Sequence, residues 1–323
     1  MLIPLVQNET LKLLRRRRFA IVVGIMFVIL VLVSYSQYRQ LRQNRNANWR
    51  ADLQERIART ENRLRRGQMN ATWARSMRAE IRRLQFYLDR GINPELPTAP
   101  LVVRSFANAA GWLLPLLVAV LGSDIVSAEN AEGTDKLLLT RPVRRRKILT
   151  AKLITLWLFA SLTLLTGAVL AYVVTAPILP AIGWDMPTYN GFQISGDAFK
   201  IDAVRQLPLW QDALIAYGLQ WFALLAVASI SLMLSVIFKS SAASIGTMIA
   251  SLIGGTILTR ISPDWTAGKY LFVSALPLAD YYTGQAPPYD GMSMTFCITL
   301  LGAWAVICLG VAYGLFTKRD VFG

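Results

Sequence analysis

A dense run of ionisable residues, DIVSAENAEGTDKLLLTRPVRRRK, occupies residues 124 to 147. Asp124, Glu129, Glu132 and Asp135 precede Lys136, Arg141, Arg144, Arg145, Arg146 and Lys147, and long apolar runs flank the whole stretch. Acids ahead of bases suit a short helix from Asp124 to Thr134 with Lys136 near its end, because the helix macrodipole favours that order. Gly133 can bend the chain, Leu137 to Leu139 offer an apolar anchor, and Thr140 and Pro142 suit the start of a following helix. A short mixed-charge helix standing off a membrane is fitted to dock in a groove on a soluble partner, not to transform a substrate.

Little else in the chain offers chemistry. There is no histidine, so imidazole is unavailable as base or metal ligand. The phosphate-cradling G-x-x-x-x-G-K-[ST] pattern is missing: Gly268-Lys269 is followed by Tyr270. Asp124, Asp212 and Asp264 fall at predicted span ends, where they make no mid-membrane proton relay, and Arg104 and Arg260 lie near ends where they can snorkel. Cys297 and Cys308 read as buried apolar thiols in the last span. The sequence therefore predicts no catalytic residue, no metal site and no cofactor bound by this chain.

The elements that hold the charged stretch are membrane spans. The 323 residues are 54% hydrophobic and 16% charged, against about 25% charged in soluble domains. Six runs are long enough to cross about 30 Å of hydrocarbon: Phe19–Tyr38, Leu101–Gly122, Ile148–Ala176, Leu214–Phe238, Ala242–Ile261 and Met292–Phe316. The first lacks a small-residue cleavage site and is expected to be retained. The expected fold is an all-α polytopic membrane protein. It comprises an interfacial helix at 1–18, a first span at 19–38, a helical hairpin at 39–100, and five spans with the charged stretch in 101–323.

A net charge of +15 would suggest nucleic acid in a soluble protein. Here the bases flank spans, so anionic lipid and orientation account for them, and no nucleic-acid partner is expected. Lys and Arg in the short loops put both termini in the cytoplasm of a bacterial inner membrane. Residues 2 to 18 resemble a helix lying in the headgroup plane, with a stripe of Ile3, Val6, Thr10, Leu13 and Arg17. Arg15, Arg16, Arg17 and Arg18, with Arg145 and Arg146, would anchor it and the third span to anionic lipid.

Residues 39–100 fall outside in this threading despite fourteen arginines, against the charge rule, which is weak for loops this long. They contain a repeat: Asn46 to Gly67 aligns with Asn70 to Gly91 at an offset of 24, pairing Trp49, Leu53 and Ile57 with Trp73, Met77 and Ile81. Each copy carries one apolar stripe. Asn46 and Asn70 suit N-caps, Gly67 and Gly91 suit left-handed caps, and the short link predicts an antiparallel pair. Its bland role is a solvated projection; its sharper one is a platform for an anionic surface, a partner or cargo. The outer loops, rich in Trp and Tyr, are explained by interfacial anchoring through Trp184, Trp210, Trp265, Tyr281 and Tyr282, or else by a re-entrant lid. Small residues from Ser240 to Gly246 and at Gly254-Gly255 permit close helix packing, within the chain or with a second copy.

The run ENAEGTDKLLLTRPVR (Glu129 to Arg144) resembles the signature of the type-2 (ABC-2) permeases of bacterial ABC transporters. FTKRD (Phe316 to Asp320) is similar to the close of those chains, and the helix before the first span fits too. The likeness covers most of residues 1–38 and 101–323. It implies that the charged stretch is a coupling helix, with Ser127, Glu129, Glu132, Gly133, Thr134, Arg141 and Arg144 facing a separate cytoplasmic ATPase. It further implies two ATPase subunits carrying ATP and Mg, a second permease chain, identical or sister, and export of an amphiphilic peptide, lipid or drug. A membrane sensor using the hairpin as receptor is the alternative; it needs an output domain, for which no stretch here is long enough.

Overall fold

The computed structural model describes residues 2–15, 17–43, 48–66, 71–91, 93, 98–131, 144–190, 193–195, 198–200, 205–262, 265–284, 287–289 and 291–318. Six of its helices are long and apolar enough to span a membrane, so the chain is an all-α polytopic membrane protein.

Helix α1 (Leu2–Arg15) ends at a sharp corner, where Arg17 takes a left-handed φ of 54°, and the first span α2 (Arg18–Gln43) follows. A non-glycine residue in that region is uncommon, and here it turns an interfacial helix into a membrane-crossing one. The N-terminal stripe is rotated from its expected place. Glu9 and Leu13 face inward, whereas Ile3, Leu11 and Leu14 are exposed. Packing on the neighbouring span decides the inner face, and the apolar residues left over face outward, as a helix in the headgroup plane requires.

The hairpin forms as its repeat implies. Helices α3 (Trp49–Arg66) and α4 (Ala71–Asp89) close around Leu53, Ile57, Ile81 and Leu84, with Trp49 and Leu88 against them. Gly91 adopts φ 65°, the expected left-handed position. The first cap differs. Asn48, not Asn46, accepts the Arg50 amide at 3.1 Å. Asn46, Gly67, Gln68 and Asn70 lie outside the described residues. Phe86 meets Tyr189 edge-on at 5.5 Å, and Arg90 lies 4.3 Å above the Phe86 ring, fastening α4 to the membrane body.

The second span is α5 (Ala99–Gly122), capped by Thr98 and carrying Pro115 inside it. After a turn comes α6 (Ser127–Ala131), which begins three residues later than the helix expected from 124; residues 132 to 134 lie outside the described residues. Helix α7 (Arg145–Thr175) starts later than Thr140 and Pro142 suggested; its 31 residues span about 46 Å, so one end stands clear of the hydrocarbon. Helices α8 (Leu209–Ile237), α9 (Ser241–Ile261) and α11 (Met294–Lys318) complete the bundle, with α5 and α8 at its centre and α2, α9 and α11 at its margin. Close approach is engineered by glycine: a Cβ on Gly167 would lie 2.7 Å from the Phe106 ring.

Opposite the termini, two antiparallel ribbons appear where only loops were expected. Strands β1 (Pro187–Asn190) and β4 (Arg205–Pro208) pair with Thr188 against Leu207, and β2 (Gln193–Ser195) pairs with β3 (Ala198–Lys200). Residues 266–275 form two 3-10 turns leading to α10 (Leu278–Thr283), and Phe272 to Leu276 are buried against α9 and α11. Gly255 admits this segment, since a Cβ there would lie 2.8 Å from Val273. Tyr281 does not act as a surface anchor; its hydroxyl donates to the Ser274 carbonyl at 2.8 Å. Trp210 and Trp265 remain exposed, as interfacial rings should.

Candidate functional site

Helix α6 is locked to the bundle by a closed ring of four charges. Lys12 Nζ lies 2.9 Å from Glu9 Oε1 and 2.7 Å from Glu129 Oε1. Lys152 Nζ lies 2.8 Å from Glu9 Oε2 and 2.7 Å from Glu129 Oε2, and donates its third hydrogen to the Ile125 carbonyl at 3.1 Å. Each glutamate therefore bridges both lysines, and the set is neutral. The geometry follows from helical spacing. Glu9 and Lys12 are one turn apart on α1, Lys152 is two turns into α7, and α6 delivers Glu129 between them.

Lys152 is 1% exposed. An ammonium so deep must use all three donors and meet compensating charge, and here it does both. Burial alone would raise the Glu9 carboxyl, but Lys152 and then Lys12 outweigh it and hold it below its ordinary 4.5. Burial would lower Lys12, but Glu129 and Glu9 push it above 10.5. A depressed acid contributes stability that is lost as pH falls through its lowered value; a raised base contributes stability that is lost as pH climbs past its raised value. The ring thus stays intact across the neutral range.

Around it, Arg18 forms an ion pair with Asp124. The Val126 and Ser127 amides donate to Ser235 Oγ at 2.9 and 3.0 Å, which ties the same segment to α8. A Cβ on Gly122 would collide with Ser231, so α5 and α8 also touch closely just before it.

This arrangement revises several expectations. Ser127 and Glu129 are buried and turned into their own chain, so neither side chain faces outward to a docked subunit. Arg18 is engaged by Asp124 instead of lipid, while Arg15, Arg17, Arg144 and Arg146 are exposed and Arg145 reaches the Thr317 carbonyl at 3.4 Å. Glu132, Gly133, Thr134, Arg141 and Arg16 lie outside the described residues, as do Arg319 and Asp320. Glu9 and Lys152 carried no role in the sequence argument. The available signal was Lys152, a charge inside the apolar run ILTAKLITLW, which calls for a partner.

A second buried pair sits at the far end of the bundle. Arg104 Nε lies 2.5 Å from Asp212 Oδ2, and its other nitrogens reach Asp212 Oδ1 at 3.2 Å and Asn108 Oδ1 at 2.6 Å. Arg104 does not snorkel: it is 4% exposed. Two turns of small residues, Ala107 and Ala216, receive Ala279 of α10 beside this pair. Burial raises Asp280, next to Ala279, to about 6, with Arg104 and then Arg83 of the hairpin opposing. A carboxyl raised by folding binds its proton more tightly when folded, so stability falls as pH rises from about 4 to about 6. Asp280→Asn is expected to remove that dependence and to stabilise the protein at pH 8 by up to about 3 kcal/mol, read as thermal unfolding of the purified chain at both pH extremes.

Six helices long and apolar enough to span define a multi-pass membrane protein, consistent with a bacterial inner membrane. The chain belongs to the family described as "Protein of unknown function (DUF2705)", whose pattern matches residues 71–322. It is 27% identical over 323 residues to the "Uncharacterized protein YhcI" of Bacillus subtilis (strain 168), covering 99% of each chain. It is 26% identical over 221 residues to the "Uncharacterized membrane protein YdbK" of the same organism, covering 67% of this chain and 81% of that one.

Proposed function

We propose that this chain is the permease subunit of an ATP-driven exporter of the ABC-2 type, moving an amphiphilic molecule with energy supplied by a separate ATPase. The observation that carries this reading is the four-charge ring. A segment whose only duty is to connect two spans needs no buried fastening, yet α6 is tied through Glu129 to α1 and α7 and through Ser127 to α8. A push on residues 132–143 from a soluble subunit would therefore be delivered to three helices at once. On this reading the terminal side is cytoplasmic, ATP and Mg belong to two copies of the partner, and the chain has no catalytic role of its own.

A second permease chain is part of the proposal. Gly246, Ala250 and Gly254 follow one another at intervals of four on α9 and are all exposed. Beyond the helix's own backbone and adjoining residues, no atom lies within 4 Å of a Cβ built on either glycine. Small residues at this spacing let membrane helices approach backbone to backbone.

Arg144 is exposed at the foot of α7 and offers the test. Arg144→Glu is expected to weaken assembly with the ATPase about fivefold, the effect of reversing a rim charge, while leaving insertion and the buried ring intact. Assembly is measured by co-purification and by stimulated ATP hydrolysis. Unchanged values for both would remove this face from the docking surface.

A further inference from the structure

Helix α6 meets the bundle through charge at Glu129 and through hydroxyl groups at Ser127. Ser127 Oγ donates to the Ser123 carbonyl at 2.8 Å and lies 3.5 Å from the hydroxyls of Ser235 and Ser241. A hydroxyl inside a helix ordinarily finds its acceptor one turn back along the same helix. Ser34, Thr163, Thr175, Ser229 and Ser231 all do so here. Among the described buried serines and threonines, three have no hydrogen-bond partner within the protein: Ser123, Thr155 and Ser244, each 0% exposed.

These three are not scattered. Ser123 stands one turn before Ser127. Ser244 stands one turn beyond Ser241 on α9. Thr155 stands one turn beyond Lys152 on α7, whose ammonium holds both Glu129 and the Ile125 carbonyl. Three neighbouring segments thus each carry one unpaired hydroxyl within a turn of a residue that touches the α6 segment. A dry interior would avoid them, because a buried hydroxyl without a partner costs free energy that alanine in its place would not. Buried water makes about three hydrogen bonds to groups of this kind. A metal cation fits poorly. Glu9 and Glu129 are shared between Lys12 and Lys152, and Asp124 faces Arg18, so acids and bases here already balance. The hydroxyls call for a neutral ligand that both donates and accepts.

We propose that water is resident between α6 and the bundle, bound by the hydroxyls of Ser123, Thr155 and Ser244. A bridging water is nearly as good a partner as a direct one, and it can trade partners without leaving a group unpaired. The hydroxyl contacts of α6 can therefore shift while Glu129 stays fastened. This concerns how α6 is seated and stands apart from the transport reading.

The test is X-ray radiolytic labelling of the full chain in nanodiscs, where radicals born from a resident water oxidise the side chain beside it. Two methionines act as reporters, both 0% exposed. Met248 stands one turn beyond Ser244 on α9. Met26 lies beside Gly167 in the apolar core. Met186, half-buried at the outer surface, is the positive control. The proposal predicts sulfoxide at Met248 and none at Met26 in the same pulse, and loss of the Met248 label in S123A/S244A. Alanine is the better helix former, so that variant should keep its fold, and an unlabelled Met26 in it reports as much. Should Met26 become labelled there, S244A alone carries the comparison and should weaken the Met248 label. Labelling at neither buried methionine of the unaltered chain, or at both alike, overturns the proposal. An undiminished Met248 label in the folded variant overturns it as well.

Discussion

Lys152→Met should destabilise the protein by about 3–5 kcal/mol, the cost of removing one partner from a buried charged set. The ring of Glu9, Lys12, Glu129 and Lys152 is neutral only as a whole. Without the Lys152 ammonium, two buried carboxylates face one ring cation, Lys12, and the Ile125 carbonyl loses the Lys152 donor. Methionine is close to lysine in volume and unbranched, so lost packing contributes little and the change isolates charge. The double variant Glu9→Gln with Lys152→Met restores neutrality and should recover a substantial part of the loss. Unfolding in mixed micelles titrated with a denaturing detergent gives both values. A Lys152→Met variant as stable as the parent would mean that the ring is not formed in the membrane.

The second large effect is expected at Arg104 and Asp212. Asp212→Ala leaves a guanidinium that is 4% exposed without the carboxylate that bonds two of its nitrogens, and should also cost about 3–5 kcal/mol. Replacing both partners, as Arg104→Met with Asp212→Leu, should return most of that stability, because two apolar groups need no compensation. The single variants Arg104→Met and Asp212→Leu should therefore be strongly non-additive in a double-mutant cycle. Additivity would show that the two residues act independently. Since α10 packs beside this pair through Ala279, the single variants should also expose residues 266–283 to protease cleavage more than the double variant does.

What could be read without coordinates was what depends on local periodicity. The six apolar runs announce themselves, since each satisfies its own backbone as a helix and needs only length. The hairpin was legible because a repeat of Trp, Leu and Ile stripes fixes both helices and their inner faces. Asn48, as suitable a cap as Asn46 and standing directly before Trp49, is the residue seen accepting from the first turn. The ribbons of the far side were missed, although Gly196-Asp197 between Ser195 and Ala198 is a two-residue hairpin signal.

The candidate site was the least legible part. Glu129 and Lys12 are separated by 117 residues, and Lys152 and Glu9 by 143. No spacing rule connects charges so far apart; only the packing of α1 against α7 does. A motif comparison therefore points to Glu129 but not to its direction. It turns inward, while Arg144 at the foot of α7 is exposed.

The central claim is that a separate motor drives this chain from its terminal side. Its most direct test is purification of the tagged full-length protein from its native membrane in mild detergent, with the bound polypeptides identified and nucleotide hydrolysis measured on the same sample. The account predicts a soluble subunit with a phosphate-binding loop, present in equal number to the permease chains, and hydrolysis that collapses in Arg144→Glu. A chain that purifies alone and carries its substrate across a sealed vesicle without nucleotide would contradict it.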